Sequence, residues 1–211
     1  MNDTVKHCPD TEFQMIGDLI KNHPQAEKHL FIKGAKLMVN DGKTSQVCFV
    51  EQGDLQIILA YGDKVLFEIS APVTIGVQQL YTHCYNYYTI FKTDATVWLL
   101  DIECFKTVVE NNNIWHELMV VICHVMDRID DYHRTTYLAT NSYDLVKHCL
   151  EQIWQLPEQE RENTSVFTYI MKRHNISRSS ITKIIHSLNV GGYIKTKRGI
   201  LLQVKKIPHG Y

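Results

Sequence analysis

No stretch of the 211 residues approaches the ~18 consecutive apolar residues of a membrane-spanning helix. The opening decapeptide, MNDTVKHCPD, has no charged segment leading into an apolar run, so no secretory leader is expected. The six cysteines, Cys8, Cys48, Cys84, Cys104, Cys123 and Cys149, include no Cys-x-x-Cys pair and no zinc-finger spacing to histidine. Before Asn111 the only histidines are His7, His23, His29 and His83. They are too scattered for the His-x-His cluster of a cupin-like, metal-dependent barrel enzyme. Internal repeats and low-complexity tracts are also missing. The expectation is a cytoplasmic, non-enzymatic protein with no metal, no cofactor and no membrane partner. Its cysteines should be mostly small buried hydrophobes.

The most informative absence is local. From Ser165 to Tyr211 there is no Asp or Glu, against nine Lys and Arg. The preceding 164 residues hold 13 basic and 23 acidic side chains. The net charge of −1 therefore averages a segment of +9 with one of −10. Such asymmetry points to an anionic partner for the C-terminal region. With 45% hydrophobic and 21% charged residues, the chain has enough apolar material for packed cores and is not globally disordered.

Up to about Asp101 the pattern is strand-like. Short runs rich in Val, Ile, Phe, Tyr and Thr (HLFIKGAKLMVN, QVCFVEQG, DLQIILA, KVLFEIS, YYTIFKT, ATVWLL) alternate with turn residues. Gly62-Asp63 between two apolar runs reads as a hairpin tip. This spacing predicts an antiparallel β-roll or barrel, preceded by a short helix over Glu12 to Lys21. The period then changes. A short helix from Glu103 to Glu110 stops at three asparagines, and a long one runs to about Tyr137. Trp115, Leu118, Ile122, Val125, Ile129, Tyr132 and Thr136 alternate in steps of three and four, the seam of a coiled coil. That strict alternation favours a dimer seam about 35 Å long over a helix lying on its own domain. A second set, Ile114, Val121 and Met126, is expected to face the barrel. Asn141 caps a further helix whose apolar face runs from Leu145 to Leu156. The expected organisation is a β-roll over 1–112, a dimerisation helix and hinge over 113–140, and a DNA-binding domain over 141–211.

The segment from Val166 to Val204 carries the chemistry. A short helix to His174 is followed by Asn175, a residue that tolerates a tight inter-helix turn. Ser177 then caps a helix whose buried face is Ile181, Ile184, Ile185 and Leu188. Gly191-Gly192 ends it, and two strands around Thr196-Lys197-Arg198-Gly199 form a wing. In such a winged helix-turn-helix the second helix enters the major groove of DNA. Ser177, Ser179 and Ser180 allow close approach and can donate to phosphates. Arg178 can address guanine or a phosphate, Thr182 and Lys183 share the free face, and Lys195, Lys197 and Arg198 can grip the backbone. An interaction module with merely solvated cations is the bland alternative, and nine cations without one acid argue against it.

A β-roll, a long coiled-coil helix and a C-terminal winged helix in this order resemble the cyclic-AMP receptor protein and fumarate–nitrate regulator superfamily. The run Ile176 to Ile185 looks like its recognition helix, and Val50 to Ile57 around Gly53 like its strand–Gly–strand signature. The C-terminal part more closely resembles an enterobacterial subgroup, inhibitor of hydrogen peroxide resistance. The matching pieces are Asn141-Ser142-Tyr143-Asp144, Ser177-Arg178-Ser179, Gly191-Gly192-Tyr193-Ile194 and Pro208. The resemblance implies an α+β chain with a cyclic-nucleotide-binding-like roll and a homodimeric transcription regulator on an inverted-repeat operator. It also implies a part in oxidative-stress resistance, and RNA polymerase as a further partner.

The departures are specific. Ser179 stands where the cyclic-AMP-binding members carry Glu, and Lys183 replaces an Arg, so a different operator is expected. The effector cassette is degenerate. Val77 takes the place of the ribose-binding acid, Tyr87 that of the phosphate-binding Arg, and Tyr88 follows it. Without those charges nothing offsets phosphate desolvation, so cyclic AMP is not the expected ligand. His83-Cys84 and Cys123-His124 read as structural rather than as ligands of haem or metal. Cys84 is the candidate for a redox-sensing thiol, against an inert cysteine. A protein-binding adaptor is the remaining rival to a DNA-binding regulator.

Overall fold

The computed structural model describes residues 9–82, 86–137 and 141–208, the side chains of 134–137 excepted. Contacts divide the chain into two units, one ending at Ile129 and one beginning at Asp130.

The first unit is an antiparallel β-roll. Helix α1 (Asp10–Lys21) precedes β1 (Glu27–Phe31), β2 (Lys36–Leu37), β3 (Gln46–Gln52), β4 (Asp54–Leu59), β5 (Lys64–Ser70), β6 (Val73–Ile75), β7 (Tyr87–Phe91) and β8 (Ala95–Asp101). They form two four-stranded sheets in the orders β1-β8-β3-β6 and β2-β7-β4-β5. The hairpin tip falls at Gly62-Asp63 as the turn residues require, and Leu59 pairs with Lys64 beneath it. Strand alternation turns Leu55, Ile57 and Phe91 into the core, where Val47 and Val97 meet them. Helix α1 covers Phe49 with Phe13, Ile16 and Ile20. Gly17 makes that approach possible, since a Cβ there would stand 2.3 Å from the Phe49 ring.

Helix α2 (Ile102–Asn112) is capped by Asp101, whose carboxylate accepts the Glu103 amide at 2.8 Å. It ends at Asn113 in the left-handed region (φ 52°). The long helix α3 (Trp115–Tyr137) follows as one 23-residue element. Its faces differ from the expected seam. Ile114, Leu118 and Val121 are buried in the roll's own core, so Leu118 is not available to a second chain. Met126, expected to face the roll, is 60% exposed. The exposed apolar stripe is Trp115, Met119, Ile122 and Met126, at steps of four, three and four. Sequence periodicity admits both stripes, and the position of the roll selects between them.

The second unit contains α4 (Ser142–Gln155), α5 (Glu158–Glu162), α6 (Val166–Arg173), α7 (Arg178–Val190), β9 (Ile194–Lys197) and β10 (Ile200–Val204). Asn141 caps α4 by accepting the Asp144 amide at 3.0 Å. The charged stretch after Pro157 forms the unexpected helix α5. Arg161 explains its placement: the guanidinium stacks on Trp154 at 4.4 Å and donates to the carbonyls of Trp154 and Leu156, where α4 runs out of partners. The core joins Val146, Leu150 and Ile153 of α4 to Val166, Ile181 and Leu188. Tyr132, expected at the seam, stacks on His174 within this unit, with centroids 6.4 Å apart and planes at 7°. The side chain of Thr136 lies outside the described residues.

Candidate nucleic-acid interface

Helix α7 is amphipathic in the sense its sequence predicts. Ile181, Ile185 and Leu188 are buried, and Ile184 is half-buried. Arg178, Ser179, Thr182, Lys183 and His186 are exposed. The three serines are not equivalent. Ser177 is the N-cap: its hydroxyl oxygen accepts the Ser180 amide at 3.1 Å and lies 2.9 and 2.8 Å from the hydroxyls of Ser179 and Ser180. Its capacity is therefore taken up in starting the helix. Ser180 is half-buried, and Ser177 and Ser179 are exposed. The Thr182 hydroxyl donates to the Arg178 carbonyl at 2.8 Å, which leaves its lone pairs and methyl outward.

The wing is tighter than the sequence indicates. Lys197 pairs with Ile200, so the turn is only Arg198-Gly199. Both adopt positive φ, 52° and 81°, the geometry of a two-residue hairpin turn that glycine makes accessible. Lys195, Lys197 and Arg198 are exposed. Ser165 adds an antiparallel bridge to Ile200, which extends the sheet toward the start of α6.

Asn189 is a positioning residue that periodicity did not reveal. Its amide donates to the Thr196 hydroxyl at 3.0 Å, and its carbonyl oxygen accepts the Thr196 amide at 3.0 Å. It thereby ties the last turn of α7 to the first wing strand. An Asn two residues before Gly-Gly at a helix end is the signal that could have found it.

The remaining expected site residues separate. Val77 begins the one-turn 3-10 helix over Val77–Leu80 and is buried in the roll's core. Tyr87 packs against that core too. Tyr88 does not join them, because adjacent strand residues face opposite ways. Its ring belongs to a separate cluster with Ile58 and Val65, under the Lys36 ammonium at 3.7 Å. Its hydroxyl donates to Asp63 at 2.7 Å, and burial with that carboxylate raises its pKa to about 12. Beside Val77 lies a neutral cluster: the buried Gln79 oxygen accepts from Asn40 at 2.8 Å.

Cys48 and Cys149 are buried, and burial raises both thiols, Cys149 to about 12. Such thiols are poor nucleophiles. Cys123 is exposed, and His124 meets the Phe13 ring edge-on at 6.1 Å. Cys8, His83 and Cys84 lie outside the described residues. Among the described residues no three of His, Cys, Asp and Glu gather closely enough to hold a metal ion, and no helix is long and apolar enough to cross a membrane.

Residues 142–209 match the family described as winged helix-turn-helix DNA binding. Over 207 residues the chain is 22% identical to inhibitor of hydrogen peroxide resistance of Salmonella typhimurium, covering 96% of this chain and 97% of the relative. The c-di-GMP responsive global regulator CLP of Xanthomonas campestris superposes with a TM-score of 0.71 at 12% identity, over 93% of this chain and all of that one. A protein of Eubacterium rectale assigned to the crp/fnr family of transcriptional regulators gives 0.62 at 15% identity, over 90% of each chain. The chain thus has the fold of the crp/fnr regulators, carries a winged helix-turn-helix of the DNA-binding family, and is a relative of the inhibitor of hydrogen peroxide resistance proteins.

Proposed function

We propose that the chain is a cytoplasmic, homodimeric, sequence-specific DNA-binding transcription regulator with a part in hydrogen peroxide resistance, and that it does not respond to cyclic AMP. One observation carries the reading: the exposed face of α7 and the wing present Arg178, Lys183, Lys195, Lys197 and Arg198 in a segment without a single Asp or Glu. Uncompensated cations on a helix of groove-fitting size and on an adjoining turn suit the phosphate backbone and the base edges together. Ser179, Thr182 and Arg178 are the residues assigned to base or phosphate contacts at the helix start. Ser177 and Ser180 hold that start in shape.

The division of labour follows the sequence, with residues 1–112 as a sensor-like roll, 113–140 as dimerisation helix and hinge, and 141–211 as the DNA-binding part. The stripe Trp115, Met119, Ile122 and Met126 supports dimerisation, because its four-three spacing suits a coiled-coil partner and a second copy supplies the same stripe. Lack of a cyclic AMP response is supported by Val77, whose apolar side chain is in the core where an acid would be needed. The link to peroxide rests on the relatives' name. RNA polymerase is a partner this role would bring.

The test selects duplexes from a random pool with the full-length protein and measures binding by fluorescence anisotropy over a salt series. An inverted repeat is expected, with its half-sites about one helical turn apart. Arg178→Ala should cost ~1–3 kcal/mol on that site and relax preference at one position per half-site. Lys197→Ala should weaken all sequences alike and flatten the salt slope by about one unit per lost contact. Equal binding of all variants to selected and scrambled duplexes would favour the adaptor.

A further inference from the structure

Phe167, in the first turn of α6, touches both parts of the candidate interface. On one side the Arg178 guanidinium carbon lies 5.0 Å from its ring centroid. On the other, a Cβ at Gly199 would stand 3.7 Å from its Cδ2, so the wing turn rests against the ring edge. The backbone secures the same junction. The Val166 amide donates to the Gly199 carbonyl at 2.9 Å, and Ser165 bridges to Ile200. One half-buried aromatic ring thus lies between the start of α7 and the tip of the wing.

An unsupported arginine has several torsions to freeze when it meets a base or phosphate, and that loss weakens binding. An aromatic face restrains the guanidinium by cation–π attraction without forming a conventional hydrogen bond, so its N–H donors stay available to DNA. No Asp or Glu in the segment 165–211 competes for them. We infer that Phe167 is a positioning residue for DNA recognition, one whose ring holds Arg178 at the start of α7 and props the wing turn beside it. The inference rests on the DNA-binding reading and deepens it: base reading by the helix and backbone contact by the wing are set relative to each other by one side chain.

The test is a double-mutant cycle in the full-length protein, using the inverted-repeat duplex selected by the wild type and a scrambled control. Phe167→Leu keeps an apolar side chain but removes the aromatic face. It should weaken binding to the selected duplex by about two- to fivefold per half-site, the measure of an exposed to partly buried cation–π contact. Binding to the scrambled duplex should change much less. Phe167→Trp should retain wild-type affinity. In an Arg178→Ala background Phe167→Leu should cost clearly less than it does in the wild type, the remainder being the loss of the wing prop. A variant that is merely less stable would lose affinity equally in both backgrounds, and such an additive loss overturns the inference, as does an unchanged affinity in Phe167→Leu alone. If Arg178→Ala binds the selected duplex as well as the wild type, the inference falls while the DNA-binding reading stands; if the wild type itself binds selected and scrambled duplexes alike, the DNA-binding reading fails without any change at Phe167.

Discussion

Leu118 and Ile122 stand one turn apart on α3, yet Leu118 is sealed in the roll's core at 2% exposure while Ile122 is 39% exposed. At 100° per residue they differ by only about 40° around the axis, so they mark the border between the two faces of the helix. Replacing both Ile122 and Met126 by Lys puts like charges into the proposed seam. The protein should sediment as a monomer with its melting temperature nearly kept. Leu118→Ala should do the reverse, lowering stability by ~2–5 kcal/mol while the dimer persists.

Ser177 and Ser179 should separate stability from binding. Ser177→Ala removes the cap of α7 and should cost ~1 kcal/mol of folding stability. Ser179→Ala should leave thermal unfolding unchanged and cost about 1 kcal/mol in binding to the selected duplex, the worth of a neutral hydrogen bond. Calorimetry and anisotropy on the same two proteins give the comparison.

The roll offers cyclic AMP neither an acid at Val77 nor a cation at Tyr87, and the Val77 side chain is occupied in packing. A ligand that binds the native state must raise its melting temperature. Millimolar cyclic AMP should produce no rise and no calorimetric heat. A clear shift would place the nucleotide somewhere other than this cassette.

His148 on α4 has its Nε2 buried without a hydrogen-bond partner. Burial lowers its pKa below the ordinary histidine value, against the opposing pull of Glu151 and Asp131. The folded state therefore binds this proton less readily than the unfolded chain does. Its contribution is complete above the ordinary histidine pKa and is lost as pH falls from there toward the depressed value. Thermal unfolding between pH 7.5 and pH 5.5 should show a loss of stability that is smaller in His148→Gln.

The C-terminal unit was legible in the sequence because its signals are local. Ser177, the Ile181 to Leu188 face and Gly191-Gly192 specify α7 within one stretch of chain, and the charge bias needs only counting. The strands of the roll were legible for the same reason, apart from the three-residue β6. Helix α5 was not, since its five residues, four charged and one glutamine, carry no apolar period, and it is held by Arg161 reaching back to the end of α4.

By itself the sequence determined the order of the elements, the polarity of α7 and the separation of charge along the chain. These follow from periodicity, caps and composition, which act between near neighbours. Only the tertiary structure decided which stripe of α3 stays exposed and that Phe167 meets Arg178 and the wing turn. Each of these depends on where a distant element lies. A helix with apolar residues on more than one face has no preference among them until the roll covers one. A ring in the first turn of α6 can support an arginine eleven residues later only because the chain folds back to bring the two together.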